Sequence, residues 1–132
     1  MTPLEDRPSV RLHRLINGYQ VSQAIHVAAT LGVADRLRDG PCTAPELAAA
    51  LAVDAHALYR LLRALAAVGV FHEDDQRRFS LTEMGACLCS DAPEPLGERA
   101  AFIGGPSYWE AWGHLLYSVQ SGQPAFPHLH QG

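Results

Sequence analysis

Residues 43–85, TAPELAAALAVDAHALYRLLRALAAVGVFHEDDQRRFSLTEMG, decide the fold. Thr43-Ala44-Pro45-Glu46 opens the stretch as a capping box, in which the Thr43 hydroxyl and the Glu46 carboxylate satisfy free backbone donors at a helix start. Pro45 falls in the first turn, where its missing N–H costs nothing. Leu47, Ala48 and Leu51 supply a short apolar stripe, Val53-Asp54 turns the chain, and Asp54 caps a second helix that runs to about Val68 before Gly69 ends it. In that helix Leu58, Leu61, Leu62, Leu65 and Val68 recur at helical spacing, with His56, Arg60, Arg63 and Ala67 on the opposite face. Residues 70–73 and 78–81 then read as strands about a polar turn, and Thr82-Glu83-Met84-Gly85 starts another helix. Helix, turn, helix and charged hairpin in this order predict a winged helix: mainly α, with a small two-stranded β-wing.

A winged helix usually either binds duplex DNA or pairs subunits, and charge separates the two. Arg60 and Arg63 lie on the exposed face of the would-be recognition helix, and Arg77 and Arg78 sit at the wing, all placed to touch phosphates. Glu73, Asp74 and Asp75 share that wing, and the whole chain carries a formal charge of −4. Duplex binding draws most of its affinity from neutralised phosphates, so the balance favours pairing, with a DNA-binding transcriptional regulator as the alternative. On the pairing reading Arg60 and Arg63 are a solvated face or ion-pair with a neighbouring domain. All ten basic residues are Arg.

The chain has 132 residues, 48% of them hydrophobic, enough for one small domain with a core of its own. It has no basic-then-apolar leader, and no apolar run approaches the length of a membrane span. Three cysteines without an export signal fit a reducing cytoplasm, the expected location.

Outward from the unit on its N-terminal side, residues 1–9 form a polar arm containing Pro3 and Pro8. From Val10 to about Thr30 the pattern is helical with two apolar faces, Leu12, Leu15, Ile16 and Tyr19 on one and Val21, Ala24, Ile25, Ala28 and Leu31 on the other. Asn17-Gly18 is a candidate interruption. A helix apolar on more than one side needs cover on more than one side, either as a central core helix or against a second subunit. Residues 32–37 form a short helix ahead of the Gly40-Pro41 break.

On the C-terminal side, residues 90–97 form a connector with Pro93 and Pro95, helical character resumes around Glu98, and Gly104-Gly105-Pro106 breaks it. Tyr108, Trp109, Trp112, Leu115, Leu116 and Val119 then form one aromatic-rich helix that ends near Ser121-Gly122. Such a stripe is either core or, with nothing left to cover it, an exposed patch that marks an absent partner or domain.

The motifs from Leu31-Gly32-Val33-Ala34-Asp35-Arg36-Leu37, through Thr43-Ala44-Pro45-Glu46-Leu47-Ala48, to Leu58-Tyr59-Arg60-Leu61-Leu62-Arg63-Ala64-Leu65 and Gly69-Val70-Phe71 resemble the N-terminal dimerisation region of S-adenosylmethionine-dependent small-molecule O-methyltransferases. Caffeic acid, hydroxyindole and anthracycline O-methyltransferases are of this type. Phe79-x-Leu81-Thr82-x-x-Gly85 extends the likeness, and Trp112-x-x-Leu115-x-x-x-Val119-x-x-Gly122-x-x-x-Phe126 resembles the linker helix entering the catalytic domain. The resemblance implies a homodimer, with Leu12, Leu15, Ile16, Tyr19 and Ile25 at the interface, and Trp109, Trp112 and Phe126 in the wall of a substrate pocket. It implies methyl transfer from S-adenosylmethionine to a hydroxyl on an aromatic or polyketide-like substrate, run by a following Rossmann-like domain. The expected organisation is an arm at 1–9, a winged-helix dimerisation domain at 10–89, and a connector with its linker helix at 90–132.

These residues themselves are expected to bind no cofactor and to hold no catalytic group. A site of that kind needs a strand, a Gly-rich turn and a helix N-terminus, whereas Gly104-Gly105-Pro106 is the only clustered glycine pair and reads as a turn. A stand-alone pairing module that forms mixed dimers with a full-length enzyme is a variant of the same reading. Cys42, Cys87 and Cys89 lack zinc-knuckle spacing and are expected as buried or half-buried structural thiols, and His128-x-His130 has no third ligand nearby. His26 and His114 are expected as hydrogen-bonded core or interface residues, with a place at a substrate pocket as the alternative for each.

Overall fold

The computed structural model of the chain describes residues 7–125. Its centre is the unit read from the sequence. Helix α4 (Ala44–Leu51) and helix α5 (Ala55–Ala67) are joined through Ala52, whose φ of 59° turns the chain sharply. The Thr43 capping box forms in full: the Glu46 N–H donates to Thr43 Oγ1 at 3.3 Å, and the Thr43 N–H donates to Glu46 Oε1 at 3.2 Å. Asp54 caps α5 by accepting the Ala57 N–H at 2.8 Å. Strands β2 (Phe71–Glu73) and β3 (Arg78–Leu81) form the wing, with Phe71 opposite Leu81 and Glu73 opposite Phe79.

The wing gains a third strand beyond the two expected. Strand β1 (Cys42–Thr43) pairs antiparallel with β3 in the order β1-β3-β2, with Cys42 opposite Phe79 and Thr43 opposite Arg78. Two residues carry no period-2 signal, which is why only the hairpin was legible.

Phe71 and Phe79 meet Leu47, Leu62, Leu65 and Val33 in the fully buried core, each side chain contributing on the order of 1.5–3 kcal/mol of hydrophobic burial. The apolar face of α5 is buried through Leu58, Leu62 and Leu65, while His56, Arg60, Arg63 and Ala67 are exposed as their spacing predicts. Helix α3 (Val33–Leu37) adds Val33, Ala34 and Leu37 to this core. Helix α6 (Glu83–Ala86) starts at Thr82, whose hydroxyl donates toward the Gly69 and Val70 carbonyls at 2.6 and 2.8 Å and accepts the Gly85 N–H at 3.0 Å.

The N-terminal flank breaks where the sequence marked an interruption, whereas the C-terminal flank departs from expectation. The N-terminal helical stretch divides at Asn17 into α1 (Pro8–Ile16) and α2 (Gly18–Leu31), the interruption marked by Asn17-Gly18. The first of these opens at Pro8, where proline suits a first turn. The C-terminal aromatic helix is two helices rather than one, α8 (Pro106–Gly113) and α9 (Leu115–Ser121), separated at His114. There the His114 ring Nδ1 donates to the Glu110 carbonyl at 3.0 Å, while the His114 backbone N–H goes to Ala111 instead. The side chain thus takes the carbonyl that an unbroken helix would give to that N–H. Helix α7 (Gly97–Ile103) precedes this pair and packs along α2. Among the described residues no helix is long and apolar enough to cross a membrane.

Candidate functional site

Apolar side chains left in solvent concentrate on the helices outside the winged unit. On α1, Leu12, Leu15 and Ile16 are all exposed, Leu15 by 78%, and none of the helix's residues is buried. Tyr19 continues that row onto the first turn of α2 and is also exposed. A helix presenting its apolar face to water is stable only with a covering surface. Ile25 lies elsewhere. It is half-buried against the core, and it lines a separate apolar hollow of about 300 Å³ with Met84, Leu88, Leu96 and Ile103.

Trp109 and Trp112 stand on α8 beside Tyr19. These three, with Tyr108, Ile103 and His114, line an open groove of about 600 Å³ between the start of α2 and α8. Residues assigned to an interface and residues assigned to a pocket wall therefore share one concave surface. Trp112 is 60% exposed, whereas Trp109 is half-buried. Phe126 and the pair His128 and His130 lie outside the described residues, as do residues 1–6 of the arm. Groove residues missed from sequence include Ser22, whose signal was its three-residue helical spacing from Tyr19, Glu110 and Gly113 on the aromatic helix itself, and Gly18 and Ile103, which no local pattern ties to the aromatics. Phe102 leans on Tyr108 with ring centroids 5.7 Å apart, joining α7 to α8. On α9, Leu115, Leu116 and Val119 are exposed as well.

His26 is half-buried and hydrogen-bonded. Its ring Nδ1 lies 3.1 Å from the Ala100 carbonyl oxygen; the carbonyl only accepts, so Nδ1 carries the proton. The ring rests against Gly104, where an added Cβ would fall inside the imidazole. Gly104 is therefore a helix-contact glycine. The strand and Gly-rich turn that would cradle a nucleoside-bearing cofactor are not formed around Gly104-Gly105, so these residues do not fit such a group.

The arginines set out as phosphate contacts divide. Arg78 donates from Nε to Asp74 Oδ2 at 2.9 Å, and Arg77 stacks over the Tyr59 ring at 5.6 Å. The Tyr59 hydroxyl donates to Glu73 at 2.6 Å, which raises the phenol's pKa, and its ring meets Phe79 edge-on. Arg60 and Arg63 are exposed. The three thiols lie apart in role: Cys89 is buried and donates to the Ala34 carbonyl, Cys42 is half-buried, and burial raises the pKa of both. Cys87 corrects the expectation of burial, since it is exposed on the short turn after α6. Asp35, Cys89 and Asp91 converge, but Arg38 already bridges this trio by pairing with Asp91 at 3.1 Å.

Against known proteins, the family model for the O-methyltransferase dimerisation domain matches residues 13–91. The chain is 40% identical over 115 residues to phenazine O-methyltransferase PhzM of Lysobacter antibioticus, covering 87% of this chain and 33% of that protein. It superposes on the crystal structure of the N,N-8-amino-8-demethyl-D-riboflavin dimethyltransferase of Streptomyces davawensis with a TM-score of 0.85 at 34% identity, covering 95% of this chain and 37% of that one. Human N-acetylserotonin methyltransferase, solved with SAM, gives a TM-score of 0.83 at 28% identity over 93% of this chain and 37% of its own. The chain thus spans about a third of the length of the curated relatives it matches.

Proposed function

The chain belongs to the O-methyltransferase dimerisation-domain family, and from that premise we propose that it joins two identical subunits through α1 and the first turn of α2. Leu12, Leu15, Ile16 and Tyr19 form the contact, and Ile25 braces it from beneath by anchoring α2 on the core. The observation that carries this is the unbroken exposed apolar row running from α1 onto α2, which a partner surface of the same kind would cover. Nucleic acid is not a proposed partner, because Arg78 is paired to Asp74 within the wing and Arg77 is stacked over Tyr59 of α5.

In the complete protein, Trp109, Trp112 and Phe126 form one wall of the pocket that receives the methyl acceptor. Flat aromatic rings along an open groove favour a planar, largely apolar acceptor. The acceptor atom is a hydroxyl oxygen. S-adenosylmethionine supplies the methyl group and is held by residues beyond those described. The chain then divides into the arm at 1–9, the pairing domain at 10–89 and the connector with its linker helices at 90–132, in a protein of the cytoplasm.

Sedimentation velocity tests the pairing. The wild-type chain should run as a dimer at micromolar concentration, and the double variant Ile16→Glu, Tyr19→Glu as a folded monomer. Dimers that persist in the double variant would defeat the assignment.

A further inference from the structure

We propose that His26 is a positioning residue that sets the angle between α7 and α8 and so shapes the aromatic groove; this rests on the pocket-wall reading of that groove. Helix α7 has only seven residues, so the carbonyls of its last turn, from Ala100 onward, make up most of the helix and need partners. The Gly105 N–H serves Phe102 at 3.1 Å, but the Gly104 N–H reaches Ala100 only at 3.4 Å, a long contact. His26, reaching across from α2, supplies the better donor to Ala100 at 3.1 Å. A side chain of one helix therefore caps the C-terminal turn of another.

The cap sits where direction matters. Directly after it the chain turns through Gly104 and Gly105 into α8, which carries both tryptophans of the chain. The ring fills the space above Gly104 that any larger residue would claim, so the turn and the imidazole fix each other's position. Ile103, the last residue of α7, lines the groove with Tyr19 and Trp109. Tyr19 stands two helical turns before His26 on α2, so α2 supplies one wall of the groove and holds the hinge of the other. Loss of the donor should leave the winged core intact and release α8.

Two variants separate the donor from the ring. His26→Phe keeps a ring over Gly104 without an N–H, whereas His26→Asn places an amide N–H near the position of Nδ1 without the ring. Acrylamide quenching of the tryptophan emission, measured in the whole chain well below its melting temperature, reads the accessibility of Trp109 and Trp112. The Phe variant should raise the quenching constant about twofold, as a locally released segment does, and the Asn variant should match wild type. Leu62→Ala, a core truncation, should lower the melting temperature while leaving quenching unchanged. Equal quenching in wild type and His26→Phe would overturn the assignment, as would an Asn variant that resembles Phe or a Leu62→Ala variant that rises equally. If the contrast holds but 2-naphthol leaves the tryptophan emission unchanged, His26 keeps its role and the pocket wall alone is lost.

Discussion

Gly85 shows how strictly a single residue is held. A Cβ built there would lie 2.0 Å from the Val70 carbonyl oxygen and 3.4 Å from the Phe71 ring. Its backbone N–H is also taken by Thr82, whose hydroxyl in turn engages the end of the α5–β2 turn. The obstacle is backbone at the entry to β2, which cannot swing aside as a side chain would. Gly85→Ala should therefore destabilise the fold by about 2 kcal/mol or more, as overpacking of a filled site does. Urea unfolding followed by circular dichroism measures it; a midpoint equal to wild type would show that the strand yields. The sequence displayed Gly85 only as part of a helix start, because the atom it must avoid is the Val70 carbonyl oxygen, fifteen positions earlier in the turn that leads into β2. Gly104 and His26 were opaque for the same reason: their contact exists only once α2 and α7 are laid together.

At the scale of the element, charge holds the ends. The Asp74 carboxyl sits below its ordinary pKa of 3.8, first because the Arg78 N–H donates to it, and then through the Gln76 N–H and the Arg78 side chain. Glu46 is lowered likewise by the Thr43 hydroxyl and N–H. A group whose pKa falls on folding contributes stability that is complete above its unfolded pKa and fades as pH drops through the folded one. The melting temperature should thus decline on acidification below about pH 4, where both carboxylates take up protons. Asp74→Asn should melt lower than wild type at pH 6 and converge with it at pH 2; parallel curves over that range would count against the wing's reliance on Asp74. Caps, hairpin and both α4 and α5 were legible because their signals are local: a hydroxyl three residues before a carboxylate, or leucines at helical spacing. The break at His114 was not, since a histidine ring that takes a carbonyl from its own helix follows no composition rule.

For the whole molecule, the exposed row of Leu12, Leu15, Ile16 and Tyr19 ties stability to concentration. If unfolding also separates two subunits, mass action raises the melting temperature with protein concentration, by about 3 °C per tenfold for a dimer of this size. Wild type should show that slope across micromolar concentrations and the Ile16→Glu, Tyr19→Glu variant should not. A flat response in both would mean that pairing does not support the fold. Two apolar faces on one helical stretch already announced an uncovered surface in the sequence, whereas its junction with the tryptophan groove appears only in three dimensions. Ile25 belonged by pattern to the second face, of which Ala24, Ile25, Ala28 and Leu31 pack on the core while Val21 stays exposed.

Thr43 holds two offices at once. It is the last residue of β1, aligned with Arg78, and the cap of α4, locked to Glu46. The register of the sheet and the starting point of the helix are therefore counted from the same residue. Around this point the protein can exchange side chains over evolutionary time far more readily than it can change length. One residue inserted or deleted between Cys42 and Glu46 would slide either the strand or the helix out of step. Related sequences should vary in identity there while the spacing stays fixed, and length variation should collect in the connector after Cys89 instead.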